Sequence, residues 1–402
     1  MDRNKPGPGA QVDTKVIDDY IISKMNSFHI PGLALSVVKN DQVVYMKGYG
    51  RADGRGNPIT PQTPFIIASV FKSFTGLGIS QLIEAGKIDI DAPVITYLPW
   101  FTLADPEAAG QITIKHLLSH TSGLSTRSGI IVLYTNPVSL EQLVRNLAKT
   151  RISQPAGSTY QYSNLNYFIL AEVIETVSGM PWGQYIETNI FKPLDMRHSY
   201  TSQAEARQNG MATGYTALFG CMIPFRDPER KAFTQLTVSS EDMAHYMIAQ
   251  LNNGRYNGNS VISGQGMART HTNLIPGTGN YGMGWVIGED SISHYGTGRN
   301  FRANVYMRND ENGNKWGIAV LINSMDVIAF ELIRDLIYGD ISFDIAQILY
   351  GQQPTNAYSP LKITYSNIGK VTKIYLYYLL AAILLLPFYC LTATYRKILR
   401  LK

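Results

Sequence analysis

Between Val12 and Met25, apolar side chains recur at three-to-four spacing (Val12, Val16, Ile17, Tyr20, Ile21 and Met25), which predicts one face of an amphipathic helix. The period then shortens. The stretch GLALSVVKNDQVVYMKGYG holds two β-rich runs around Lys39, Asn40 and Asp41 and predicts a β-hairpin. The same signal returns late in RANVYMRNDENGNKWGIAVLIN, two strands around a polar, glycine-bearing turn, and FELIRDLIYGDISFDIAQIL after it has helical spacing. Between these ends helical patterns dominate, as in SLEQLVRNLAKT, YFILAEVIETVSG and SSEDMAHYMIAQLNNG. The pattern predicts an α+β fold: an antiparallel sheet built from both chain ends, flanked by helices, with a largely helical inserted region.

One more run belongs to neither period. Ile374 to Tyr395 is a charge-free stretch of 22 residues, long enough at 1.5 Å per residue to cross a hydrocarbon core of about 30 Å. It is apolar on all faces, and its tyrosines cluster toward the ends, as at membrane interfaces. It predicts a single transmembrane helix. Arg396, Lys397, Arg400 and Lys402 follow directly, which places the C-terminus in the cytoplasm and the preceding domain outside the cell membrane. The opening residues MDRNKPGPGAQVDTKV contain no apolar signal region. Either a native signal lies outside this sequence, the reading adopted, or the chain is tail-anchored with its domain in the cytoplasm. The expected organisation is a flexible leader at 1–11, a catalytic-sized domain at 12–350, a linker at 351–373, the membrane helix at 374–395 and a basic tail at 396–402.

The formal charge of +5, from 35 basic and 30 acidic residues, changes meaning in this light. Seven of the positives (Lys362, Lys370, Lys373, Arg396, Lys397, Arg400 and Lys402) lie in a C-terminal stretch without Asp or Glu, leaving the folded part slightly acidic. That excludes a nucleic-acid partner, which needs a basic excess to neutralise phosphates. Two cysteines, Cys221 and Cys390, make no disulfide framework. Cys221 has no evident base partner and reads as a small buried or loop residue rather than a nucleophile.

Candidate chemistry begins at FIIASVFKSFTGLGISQLIEAGK, where Ser69 and Lys72 lie one helical turn apart on one face. A serine hydroxyl needs a base, and a lysine with a reference pKa of about 10.4 serves only if that pKa falls. A helix beginning at Ser69 disfavours a protonated amine nearby, burial acts in the same direction, and the Ser69 N–H is free to stabilise an oxyanion. Ser-x-x-Lys by itself is a nonspecific signal. Two further pieces accompany it: Tyr162-Ser163-Asn164 before a helical pattern, and His294-Tyr295-Gly296 leading into a strand.

With these pieces the sequence resembles the serine β-lactamase and penicillin-binding-protein superfamily, in its class C β-lactamase-like branch of esterases and peptidases. The resemblance covers roughly residues 12–345 and includes IKHLLSHTSGL, QPAGSTYQYSN, IFKPLDM and YGMGW in order. It implies that Ser69 is acylated, that Lys72 is the base beside it, and that Tyr162 passes the proton to the leaving group. Either Lys72 or Tyr162 can be drawn as the general base. Asn164 would orient Lys72 and the substrate. Gly296 would let an edge strand approach the substrate backbone, and the Thr297 N–H would be the second oxyanion donor. His294 stands where the family often has a charged lysine, which weakens any grip on a β-lactam carboxylate.

Arg299 and Arg302 follow and either offer a guanidinium to a substrate carboxylate or are solvated residues at a strand start. His116 and His120, spaced i, i+4, belong in this family to a structural segment, so neither a metal nor an organic cofactor is implied. The expected activity is a membrane-anchored serine hydrolase acting on a small peptide, amide or ester, foremost a peptidase or amidase for D-amino-acid-containing peptides. A carboxylesterase is the alternative, and a non-catalytic penicillin-recognising or cell-wall-binding module the second.

Overall fold

The reversal predicted at Lys39 to Asp41 forms around Asn40, whose left-handed conformation (φ 57°) is one that asparagine tolerates better than most residues. A computed structural model describes residues 13–125, 139–218, 221–225, 235–298, 300–326, 341–352 and 354. One antiparallel sheet contains β1 (Gly32–Lys39), β2 (Gln42–Gly50), β3 (Val286–Ile287), β4 (Ser291–Gly298), β5 (Phe301–Asn309) and β6 (Lys315–Ile322). Their spatial order is β2-β1-β6-β5-β4-β3. The two chain ends meet where β1 pairs with β6, from Leu33 opposite Ile322 to Lys39 opposite Trp316. The mixed α+β architecture read from the periodicity is the one observed.

Helices cover both faces of the sheet. They include α1 (Thr14–Phe28), α2 (Phe71–Glu84), α3 (Asn164–Ser178), α4 (Ser240–Leu251) and α5 (Ile341–Leu349). Side chains alternate across a strand, so Leu33, Leu35, Val37, Ile318 and Val320 pack against α1 and α5. The opposite set, Ala34, Phe301, Ala303, Val305, Ala319 and Leu321, joins the larger core shared with the inserted helical region, α2, α3 and α4 among it.

Helix α1 differs from its predicted face. It buries Ile17, Ile21 and Lys24, whereas Val16 is 46% exposed. The shift accommodates a polar contact that apolar periodicity does not encode: Lys24 Nζ lies 3.7 Å from the buried Asp344 Oδ2 of α5, and the Tyr20 hydroxyl donates to the same oxygen at 2.5 Å. Burial pushes the Lys24 pKa down, against the attraction of Asp344. Removing one partner of such a pair strands the other in a dry interface. Asp344→Ala is therefore expected to lower stability by about 3 kcal/mol in denaturant unfolding.

The described residues through Gln352 belong to one compact unit. Among the described residues no helix is long and apolar enough to cross a membrane, and the run 374–395 lies outside them.

Candidate active site

Ser69 is placed by its approach. Phe65–Ile66 pairs antiparallel with Thr237–Val238, and the Ile67 N–H donates to the Leu236 carbonyl at 3.1 Å, which fixes the incoming chain. Ala68 then adopts φ 43°, a left-handed conformation unfavourable for a residue with a Cβ and of the kind that collects at functional turns. That twist starts the short 3₁₀ turn Ala68–Val70, which runs directly into α2. Ser69 thus opens a helical segment after a strand, as its sequence context predicts.

One turn on, Lys72 is fully buried. Its Nζ lies 3.2 Å from Ser69 Oγ and donates to Asn164 Oδ1 at 2.8 Å. Asn164 is the first residue of α3, so the N-terminal ends of two helices converge on the amine. The amine also sits 4.9 Å from the centre of the Tyr162 ring. Among the described residues no carboxylate pairs with Lys72, and desolvation holds its pKa well below the ordinary lysine value. Desolvation also pushes the Tyr162 phenol up, with a hydrogen bond involving Ser69 acting in the opposite direction. Burial therefore favours an uncharged amine beside an uncharged phenol.

The sheet edge closes the other side. β3 reaches β4 only at Ile292 and Ser293, so the outer edge of β4 beyond them has no paired strand among the described residues. Only two residues separate Gly298 from its partner Phe301, which makes that pair the one that exchanges hydrogen bonds. By alternation the Thr297 N–H points outward to the open edge. Gly296 has a reason other than the one expected from substrate approach. A Cβ there would stand 2.1 Å from the Ile67 carbonyl oxygen and 3.1 Å from the Ser69 nitrogen. Its absence lets β4 lie against the turn that carries Ser69.

His294, expected at the substrate, sits behind the edge, buried, with both ring nitrogens engaged. Nδ1 lies 2.8 Å from the Tyr295 carbonyl, an acceptor only, so Nδ1 carries the proton. Nε2 then accepts from the Tyr281 hydroxyl at 2.8 Å. Desolvation, reinforced by Lys72, pushes the His294 pKa down to about 3. Tyr295, its neighbour, is 48% exposed.

Arg299 lies outside the described residues. Arg302 is not a solvated residue at a strand start: it is only 9% exposed, on the α1 and α5 face of β5, away from Ser69.

Two groups beside the site had no role in the sequence reading. Tyr281 and Gly284 belong to YGMGW, a motif whose function spacing alone does not express. Gly284, at φ 84°, lies so close to α2 that a Cβ would stand 2.3 Å from the Lys72 carbonyl oxygen. The other is His120. Its neighbour His116 is structural as expected: Nδ1 accepts the Thr113 N–H at 3.2 Å and closes a helix cap. His120, however, packs its ring 4.4 Å from that of Tyr162.

A helix-borne serine beside a buried lysine, roofed by a tyrosine and facing an open strand edge, is an acyl-transfer arrangement. The family model for β-lactamase matches residues 17–337. The chain belongs to the β-lactamase family. It is thus a member of the β-lactamase-fold serine hydrolase family, similar also to penicillin-binding proteins. Protein flp of Staphylococcus aureus (strain MW2) is 30% identical to it over 334 residues, which are 80% of this chain and 65% of flp. The chain therefore spans a little under two thirds of that relative's length. Among solved structures, the octameric penicillin-binding protein homologue from Pyrococcus abyssi is 26% identical, with a TM-score of 0.71 over 87% of this chain and 79% of that one. FmtA from Staphylococcus aureus is likewise 26% identical, with a TM-score of 0.67 over 88% of this chain and 95% of that one.

Proposed function

We propose that this β-lactamase-family chain is a membrane-anchored serine hydrolase that works through an acyl-enzyme on Ser69. The observation that carries the reading is Lys72, buried without a carboxylate partner among the described residues and held between Ser69 Oγ and Asn164 Oδ1. As a free amine, Lys72 takes the Ser69 proton while Oγ attacks the substrate carbonyl. The N–H groups of Ser69 and Thr297 receive the oxyanion. Tyr162, kept protonated by burial, gives its proton to the leaving group and recovers one through Lys72. Water then releases the acyl group by the reverse sequence, with the same pair as base.

The acyl donor we favour is a D-amino-acid-containing peptide or amide, in keeping with the penicillin-binding protein homologue among the structural neighbours. An uncharged His294 supports a donor that brings no carboxylate to that part of the site, and the same observation leaves a carboxylesterase as the second reading. We further propose that residues 374–395 anchor the chain in the cell membrane with the catalytic domain outside.

Intact-mass labelling with a fluorophosphonate tests the nucleophile. The parent is expected to gain one adduct and Ser69→Ala none; a parent that stays unlabelled would undo the enzymatic reading. Turnover of acyl-D-amino-acid amides beside short acyl esters then separates the two substrate classes, with ester turnover alone removing the peptidase.

The pH–rate profile follows from the direction of the Lys72 shift. Activity requires the neutral amine, whose fraction rises with pH through the lowered pKa. The plateau of kcat/KM is therefore expected well below pH 10. A rate still climbing at pH 10 would contradict a depressed Lys72.

A further inference from the structure

We propose that His120 is a positioning residue that clamps Tyr162 in the orientation needed to protonate the leaving group. The inference rests on the acyl-enzyme reading above and assigns a part of it that the Ser-x-x-Lys and Tyr-x-Asn pattern does not contain.

His120 grips the chain on both sides of Tyr162. Its carbonyl accepts the Gln161 N–H at 2.7 Å, and its ring Nδ1 accepts the Ser163 N–H at 3.2 Å. Asn166, three residues further along, also reaches Nδ1 at 3.1 Å through its amide nitrogen, while its amide oxygen accepts from Ser122 at 2.6 Å. Two donors converging on Nδ1 require a lone pair there, which places the ring proton on Nε2. The ring itself lies against Tyr162, with ring centres 4.4 Å apart.

The remaining surroundings hold that state. The rings of Tyr281, Tyr167 and Tyr160 lie 4.7, 5.2 and 6.0 Å away, and Nε2 is buried with no hydrogen-bond acceptor among the described residues. The titratable groups facing His120 are these three tyrosines, Tyr162, Lys72 and His294. Desolvation first, then the two basic neighbours, keeps its pKa well below the usual histidine range. A neutral ring with an open Nδ1 is the condition for holding Ser163. The backbone of His120 is left-handed (φ 59°), a conformation that asparagine also tolerates.

That tolerance defines the experiment. Asparagine presents an acceptor near the position of Nδ1, whereas phenylalanine keeps a ring and removes the acceptor. Turnover of an alkyl ester or amide, whose leaving group needs a proton, is compared with that of a p-nitrophenyl ester, whose leaving group does not. His120→Phe is expected to lose roughly tenfold or more in kcat/KM, which reads the acylation step alone, on the first substrate and to stay within about threefold on the second. His120→Asn is expected to retain both. If His120→Phe does not fold, His120→Gln, which carries its amide one bond further out, gives the same comparison. Equal losses on both substrates, no loss on either, or an Asn variant as impaired as Phe overturns the clamp. Fluorophosphonate labelling of Ser69 in the parent separates the failures: its absence strikes the acyl-enzyme reading, whereas labelling without dependence on the leaving group strikes only the role of His120.

Discussion

Lys72→Arg is expected to acylate Ser69 at least about a thousandfold more slowly than the parent at neutral pH. Arginine keeps its proton at any accessible pH, so it has no lone pair with which to take the serine proton. It is also larger and permanently charged, in a position with no exposure and no carboxylate partner among the described residues. A drop in melting temperature should accompany the loss of rate, because an unpaired charge is either buried or forced outward. Lys72→Met separates the two effects. It fills similar volume without charge, and is expected to match arginine in lost acylation while remaining at least as stable as the parent. Single-turnover acylation followed by intact mass, beside thermal unfolding, measures both. A methionine variant retaining more than a tenth of parental acylation would remove Lys72 from the base role.

Gly296→Ala is expected to lower kcat/KM by about a hundredfold while leaving the fold intact. The added methyl would stand 2.1 Å from the Ile67 carbonyl oxygen, and the opposing atom is backbone in the turn that presents Ser69. Neither side can yield by rotating a side chain, so β4 must retreat by about 1 Å to restore ordinary contact. The Thr297 N–H retreats with it and leaves the oxyanion position. The ladder to β5, paired from Ser291 to Gly298, still holds the strand, which is why circular dichroism should be unchanged. Tyr295→Ala, on the exposed neighbour, is the control and should cost little. Parental kinetics in Gly296→Ala would mean that the strand does not set the oxyanion site.

How much of this was legible in the sequence depended on the range of the physics involved. The sheet was readable because alternation is local: Leu33, Leu35 and Val37 declare a face without reference to their partners, and Asn40 marks the reversal. Ser69 on a helix was readable because Lys72 lies one helical turn from it along FIIASVFKSFTGLGISQLIEAGK. The polar joint of Lys24 with Asp344 was not, because two charges more than three hundred residues apart carry no shared pattern. His294 was expected at the substrate because its position in the chain is that of a substrate contact; that Tyr281 and the Tyr295 carbonyl occupy both of its nitrogens depends on tertiary packing. His120 was read as part of a structural segment, and it is structural, yet the structure it holds is the peptide around Tyr162. Gly296 was flagged for close approach, and only the fold shows that the approaching backbone is the protein's own.

The pairing of β1 with β6 also has a consequence for biosynthesis. The partner of Leu33 is Ile322, so at roughly 10 residues per second a ribosome finishes the first hairpin about half a minute before it supplies the neighbouring strand. Throughout that interval one edge of β1 is unsatisfied and its apolar face uncovered. Folding of the domain is thus deferred until nearly all of it has been synthesised, and a chain kept extended until then, by a chaperone or by passage through a membrane, forfeits nothing that it could already have formed.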